Sequence, residues 1–444
     1  MTNKKQISRR TFLKRSQVAL AAATAPMILP SGVLAAPGRP GANDRIQVGY
    51  IGCGRRANSL FGLPEEGQLV ALSDLYRSRL EEVGKRFKGA ALYDDYRELL
   101  ASDKIDAVVI ATPDHWHAKP AIDACRAGKD IYCEKPLTLT IDEGKQMVKA
   151  VRENNRIAQT GSQQRTMISC NEGIQRILKG ELGEIQTVHT ANLPSPWECE
   201  LGGEPVPEGL KWDTWCGQAE PRAYHPQLFS PRGAGKRYED GRPYGWISYT
   251  PFSGGEMTGW GAHGLDMIQW ALGMSQSGPV EVWPEPVESG PLSFQGTPLK
   301  GDNPWPEAAK LACPVVFRYA NGITGHMDGK GHAGGGLFIG SEGTMNITRG
   351  VYEMKRNGEK EKTRVTEPKG RPDTREHLKN WLQCIHTRET PNAEMEIGHR
   401  STTVCHLGNI ARWTGRKLTW DPAKEEFVND LEANRYLKRA QRAG

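Results

Sequence analysis

A chain of 444 residues is long enough for two domains of ordinary size, each with its own core. Its formal charge of +6 falls to near zero once Lys4, Lys5, Arg9, Arg10, Lys14 and Arg15 are set aside, because the N-terminal stretch holding them contains no acid. The remainder lacks the clustered basic surface that nucleic acid requires, and nine cysteines without a C-x-x-C pairing signal neither a zinc site nor a disulfide framework.

In chain order, residues 1–36 read as a twin-arginine export signal: S-R-R-T-F-L-K over 8–14, small apolar residues over 18–29, and a small-residue end at Ala35-Ala36. The apolar run is broken by Pro26 and Pro30 and is shorter than the ~20 residues of a bilayer-spanning helix, so no stable membrane span is expected. That route carries folded proteins, so folding takes place in a reducing compartment and the destination is periplasmic or otherwise exported. Most of the cysteines then read as small buried hydrophobes.

Residues 44–160 alternate apolar runs (46–51, 69–73, 107–111, 131–133) with helical stretches, the β-α-β rhythm of a parallel sheet. Gly128 ends a helix that begins near Lys119, and Thr140 with Glu143 forms a capping box for the next. The first strand leads into Gly52-Cys53-Gly54-Arg55-Arg56-Ala57, a G-x-G-x-x-A turn whose glycines let the backbone approach a pyrophosphate. The second strand ends at Asp74, where a carboxylate can accept from an adenosine ribose diol. An acid there repels a 2′-phosphate and favours NAD over NADP, an effect that Arg77 and Arg79 partly offset. These residues predict a Rossmann dinucleotide-binding domain over 44–160.

Residues 161–420 form the expected substrate-binding α/β domain. Gly, Pro and Trp are frequent between 193 and 260, and Trp197, Trp212, Trp215 and Trp246 suit either stacking on a sugar face, with Arg222 and His225 meeting its hydroxyls, or ordinary loop anchoring. Short runs at 313–319, 323–327, 336–340 and 343–347 predict a mainly antiparallel sheet. Helices are predicted over 374–387 and 395–414, and residues 421–444 read as a charged tail.

Tyr132-Cys133-Glu134-Lys135-Pro136 sets a lysine at the carboxyl edge of the parallel sheet, where such folds bind ligands. Together with the glycine turn, A-T-P-D-H-W-H (111–117), C-E-K-P-L-T-L (133–139), G-S-Q-Q-R (161–165), W-D-T-W (212–215) and W-G-A-H-G-L-D (260–266) resemble the Gfo/Idh/MocA family, that of glucose-fructose oxidoreductase and inositol dehydrogenase. The resemblance covers nearly all of the chain after the leader. It implies a Rossmann domain followed by an α+β domain with an open sheet, and association into a homo-oligomer through that sheet's open face. It also implies that Lys135 contacts nicotinamide ribose and substrate and helps move the hydroxyl proton, with Pro136 often cis.

On this reading Lys135, His263 and Asp266 are catalytic. Gly52, Cys53, Gly54, Arg55, Arg56, Asp74, Thr112, Pro113, His117, Glu134, Lys135 and Gln163 contact the cofactor. Arg165, Trp212, Arg222, His225 and His263 contact a carbohydrate substrate. His115 and His117 lie two apart with no third ligand by spacing, so no metal is predicted. The sequence departs from the family at Gly259, where members commonly carry an aspartate four residues before the histidine. Asp266 could orient His263 instead, or Glu256 or Asp213 could enter.

Three functions follow as expectations. The first is an exported NAD(P)-dependent oxidoreductase acting on a secondary hydroxyl of a sugar or glycoside, with a tightly bound cofactor recycled on the enzyme. The second is glycoside cleavage by transient oxidation and elimination. The third is a non-catalytic sugar-binding protein that has lost activity at Gly259.

Overall fold

The computed structural model describes residues 41, 44–198, 201–230, 245–285, 311–368, 374–440 and 442. The leader expected over 1–36 lies outside them, as does Cys199. The chain divides into two units, Met1–Arg45 and Ile46–Gly444. In the first, the Asp44 carboxylate accepts from the Gly41 N–H at 3.1 Å.

The second unit opens with a six-stranded parallel sheet: β1 Ile46–Ile51, β2 Gly67–Ser73, β3 Ala91–Tyr93, β4 Ala107–Ile110, β5 Asp130–Cys133 and β6 Ala158–Thr160. Its order is β3-β2-β1-β4-β5-β6, so the winding reverses between β1 and β4 and opens a crevice at their carboxyl ends. Central β4 is buried throughout, as its continuous apolar run demands of a strand covered on both faces. Strands β3 and β6 have three residues each, too few for a readable pattern.

A ten-stranded sheet follows: β7 Ile185–Thr190, β8 Glu281–Pro284, β9 Val315–Arg318, β10 Thr324–Met327, β11 Gly336–Gly340, β12 Gly343–Thr348, β13 Val351–Arg356, β14 Thr363–Thr366, β15 Leu418–Asp421 and β16 Glu426–Phe427. Its order is β14-β13-β12-β11-β7-β10-β9-β8-β15-β16. All neighbours are antiparallel except β7 and β10, which run parallel.

The helices that frame the site are α1 Arg55–Asn58, α2 Ala118–Arg126, α3 Ile141–Glu153, α4 Ile168–Leu178, α5 Gly255–Gly259, α6 Gly261–Ala271, α7 Thr374–Thr387, α8 Met395–Thr414 and α9 Leu431–Asn434. Gly128 takes φ +73 just beyond α2, and the Thr140–Glu143 capping box opens α3. Helix α8 touches α3 and β6 on one side and α6, β8 and β9 on the other, so it is buried nearly all round and shows no amphipathic stripe. Among the described residues no helix is long and apolar enough to cross a membrane.

Two sequence boundaries are corrected. Helix α7, distant in sequence, belongs to the first core: Leu378, Trp381 and Leu382 are each at most 1% exposed, and the Trp381 ring lies 5.8 Å from that of Tyr132 on β5. At about 1.5–3 kcal/mol per buried large apolar side chain, those three residues contribute an amount comparable to the net stability of a domain. The segment expected as a charged tail is also integrated. It pairs β16 with β15, buries Phe427 and Ala433, and sends Arg439 to the Pro251 carbonyl oxygen at 2.9 Å and Arg442 to the Asp213 carboxylate at 2.7 Å.

Candidate active site

The two glycines of the β1 turn are required for different reasons. Gly52 has φ +89, and a Cβ there would meet the Ala111 carbonyl oxygen at 2.9 Å, so the fold itself demands glycine. Gly54 has φ −75, ordinary for any residue, and a Cβ on it would meet nothing within 4 Å. The open space before Gly54 leaves room for a ligand to approach the turn's backbone. Helix α1 has just four residues, so the turn's own N–H groups, more than a helix dipole, face such a ligand.

Asp74 closes the turn. Its Oδ2 accepts from the Cys53 N–H at 2.8 Å and its Oδ1 from the Tyr76 N–H at 2.9 Å. Each oxygen keeps a lone pair for a ribose diol. Of the two nearby arginines, Arg79 approaches Asp74 at 3.5 Å, whereas Arg77 is engaged by Glu81 and Asp94. A continuous cleft of about 820 Å³ runs from Asp74 and Arg79 past residues 52–56, Thr112, Pro113 and His117 to Lys135 and Pro136. These residues fit a dinucleotide. Gly54→Ala is expected to leave apo thermal stability within about 0.5 kcal/mol while weakening dinucleotide binding at least about tenfold; Gly52→Ala is expected to lower stability itself. Calorimetric melting and fluorescence titration distinguish the two, and a Gly54→Ala protein with native affinity would remove the ligand argument.

At the end of β5, Glu134 is 3% exposed and Lys135-Pro136 is cis. Arg56 places Nε and Nη2 each 2.7 Å from Glu134 Oε1, and the Lys135 N–H donates to Oε2 at 3.2 Å. Burial works to raise the Glu134 carboxyl, but Arg56 and then Lys135 outweigh it and hold the group below its ordinary range. A Cβ at Gly161 would come within 2.7 Å of Oε1, so that glycine makes room for the pair. Glu134 and Arg56 therefore hold each other and the two turns beneath the cleft. The Lys135 ammonium donates to the Gly259 carbonyl oxygen at 3.0 Å, so at the position where the family carries an aspartate this chain meets its lysine with backbone.

His263 and Asp266 both lie on α6, but Asp266 does not serve as a free acid. Arg165 grips it through Nε and Nη2 at 2.8–3.0 Å, Ser401 Oγ donates to it at 2.6 Å, and Asp266 is fully buried. Arg165 and Asp266, expected at substrate and in catalysis, thus brace the turn after β6 against α6 and are not among the residues lining the cleft. His263 is 4% exposed with its ring 5.7 Å from that of Trp260. Asp213 is 77% exposed at its side chain and pairs with Arg442 at 2.7 Å.

Loop anchoring accounts for Trp212, whose ring stacks on Trp215 at 4.6 Å and 13° and whose Nε1 donates to the Arg222 carbonyl oxygen at 2.7 Å. Trp215 and Trp246 line the cleft; Trp212, Arg222 and His225 do not. His225 caps the helix Pro226–Phe229 by accepting from the Gln227 N–H, with Glu204 at 3.4 Å. His115 faces the Trp215 carbonyl oxygen at 2.8 Å, and burial pushes its imidazole down to about 3. His117 lies 2.7 Å from the Pro136 carbonyl oxygen and 3.0 Å from that of Thr112, clamping the two cleft-lining turns together. Thr112 itself donates to the Trp116 carbonyl oxygen. Gln163, with its amide oriented to satisfy both ends, donates to the Gly161 carbonyl oxygen and accepts from Arg349, a residue that sequence reasoning missed.

A model of an oxidoreductase family with an NAD-binding Rossmann fold matches residues 46–162, and the model of that family's C-terminal alpha/beta domain matches residues 195–444. The chain belongs to the Gfo/Idh/MocA family. A Gfo/Idh/MocA relative, the scyllo-inositol 2-dehydrogenase (NAD(+)) of Bacillus subtilis (strain 168), is 32% identical over 144 residues, covering 32% of this chain and 42% of that protein. Glycosyl hydrolase family 109 protein 1 of Shewanella sp. (strain MR-4) is 37% identical over 117 residues, covering 24% of this chain and 26% of that protein. The matched stretches thus span well under half the length of these relatives. Among solved structures, levoglucosan dehydrogenase in complex with NADH and levoglucosan superposes with a TM-score of 0.57 at 17% identity, covering 84% of this chain and 99% of that one, a likeness of fold. The parallel-sheet domain of this Gfo/Idh/MocA protein is accordingly an NAD-binding Rossmann domain.

Proposed function

We propose that this protein is an exported NAD-dependent oxidoreductase acting on a secondary hydroxyl of a sugar, polyol or glycoside, with its dinucleotide bound tightly and recycled in place. One observation carries the reading: a single cleft joins the Gly54 turn and Asp74 to Lys135. The bound nicotinamide supplies the hydride acceptor. Lys135 would take or relay the proton that leaves oxygen as hydride leaves carbon, a step that requires it to come within ~3 Å of the substrate hydroxyl. His263, its ring 5.7 Å from that of Trp260, is the second group able to exchange a proton, and the Arg56–Glu134 pair fixes the backbone that presents Lys135.

The twin-arginine pattern over 8–14 supports export of a preloaded protein, and the open face of the ten-stranded sheet is the surface through which copies would associate. Redox-neutral cleavage of a glycoside is a second reading, favoured by the family 109 relative: oxidation next to a C–H bond acidifies it, elimination expels the leaving group, and hydride returns.

Denaturing the purified protein and measuring released ligand by mass and absorbance tests the first half; near-stoichiometric NAD is expected. A screen of sugars, polyols and glycosides against the loaded protein, followed at 340 nm and by product analysis, tests the second. No released dinucleotide and none bound on titration would overturn the reading, whereas a split glycoside without a net redox change would select cleavage.

A further inference from the structure

Residues 209–216 bridge the crevice at the carboxyl end of the parallel sheet. They are bonded to its rim on both sides of β1, the strand that leads into the glycine turn. On the β2 side the Arg77 N–H donates to the Gly209 carbonyl oxygen at 3.0 Å and the Lys211 N–H to that of Leu75 at 3.1 Å, with Tyr76 and Leu210 paired antiparallel. On the β4 side Trp116 Nε1 donates to the Trp215 carbonyl oxygen at 2.9 Å, and His115 Nε2 lies 2.8 Å from the same atom. Gly217, with φ +60, permits that approach, since a Cβ on it would fall 2.8 Å from Trp116 Nε1. Lys211, Thr214 and Trp215 line the same cleft as Gly54 and Asp74.

The bridge carries a small core of its own. Trp212, Trp215, Tyr249 and Phe252 are buried in one cluster, and Leu75 and Tyr76 at the crevice rim pack against it. Arg79, 3.5 Å from Asp74, also lies 4.8 Å over the Phe229 ring of that cluster. The end of the chain then fastens the bridge from outside the cleft. Arg442 donates to the Asp213 carboxylate and to the Asp213 carbonyl oxygen, each at 2.7 Å, and its N–H donates to the Gln218 carbonyl oxygen at 3.2 Å. Asp213 is largely exposed, so the bonds to carbonyl oxygens matter more here than the ion pair. Arg439 donates to the Pro251 carbonyl oxygen at 2.9 Å and lies 3.5 Å from Glu143 on α3. Neither arginine lines the cleft. A ligand seated beneath a bridge tied at both ends leaves only when part of the bridge lifts, so its release depends on the fastening as well as on its own contacts.

We infer that residues 209–216 form a cover that retains NAD in the crevice, and that Arg439 and Arg442 latch it. This rests on the oxidoreductase reading and deepens it by giving the tightly bound cofactor a physical means of retention.

The test mixes the NAD-loaded protein with excess deuterated NAD and follows exchange of the bound molecule by mass spectrometry, at a temperature where each variant stays folded by circular dichroism. A chain ending at residue 437 and the full-length double variant Arg439→Met/Arg442→Met are each expected to exchange at least about tenfold faster than wild type, the scale of the lost hydrogen bonds. Arg416→Met, which breaks the pairing with Asp430 and Glu432 in the same terminal region, is expected to exchange at the wild-type rate. Unchanged exchange in the double variant overturns the inference and leaves the oxidoreductase reading standing. Equally fast exchange in Arg416→Met overturns it as well, because retention would then follow global stability. Absence of NAD from every protein, with none bound on titration, removes both.

Discussion

Replacing Lys135 by methionine is expected to lower kcat about 10³-fold, within the range for loss of a positioned proton-transfer group, and by far more than it raises the Kd for dinucleotide. The reason is the division of labour along the cleft. On the proposed function, affinity is spread over the Gly54 turn, Asp74 and the Thr112–Pro113 turn, whereas Lys135 stands at the far end of the cleft, its ammonium donating to the Gly259 carbonyl oxygen. Steady-state kinetics with the best substrate from the screen, alongside a binding titration, separates the two quantities. A drop in kcat of less than tenfold would pass the proton role to His263.

Glu134→Ala is expected to cost about 3 kcal/mol, because it leaves Arg56 without its partner beside the buried β5 turn; the third of Arg56 that stays open to solvent sets this at the lower end of the range for a broken buried pair. A fall in Tm of about 5 °C or more follows. The pH dependence has a definite sign. The folded carboxyl is held below its ordinary value of 4.5, so its contribution is fully present above about pH 4.5 and drains away as pH falls through the lower folded value. Melting curves from pH 7 to pH 3 should therefore show wild type losing stability on the acid side and Glu134→Gln losing less over the same interval. Parallel curves would mean that the pair contributes nothing measurable.

The local signals in the sequence were strong where one segment decides its own structure. Strand 46–51, helices 374–387 and 395–414, the Thr140 capping box and the glycine turn all lie where their patterns place them. What local pattern cannot carry is partnership. Nothing in R-T-M or L-D-M says that Arg165 and Asp266 close on each other across a hundred residues, or that Arg56 meets Glu134, so both pairs read as ligands for something else. Trp212 read equally well as a sugar platform and as an anchor, because an aromatic ring has the same letter whether it faces solvent or another ring. Arg349 gave no signal at all; a lone arginine before glycine in a hairpin is ordinary until Trp260 and Gln163 are seen beside it.

The return of α7 to the first core fixes the order in which the molecule can be completed. One wall of that core, with Trp381 at its centre, is supplied by residues 374–387. A nascent chain that has emerged only as far as residue 160 holds all six parallel strands yet leaves Tyr132 and its neighbours open to water, a state prone to aggregation. The dinucleotide cleft therefore becomes a finished binding site only when synthesis is nearly over, and a fragment ending at residue 160 should neither fold cooperatively nor retain NAD.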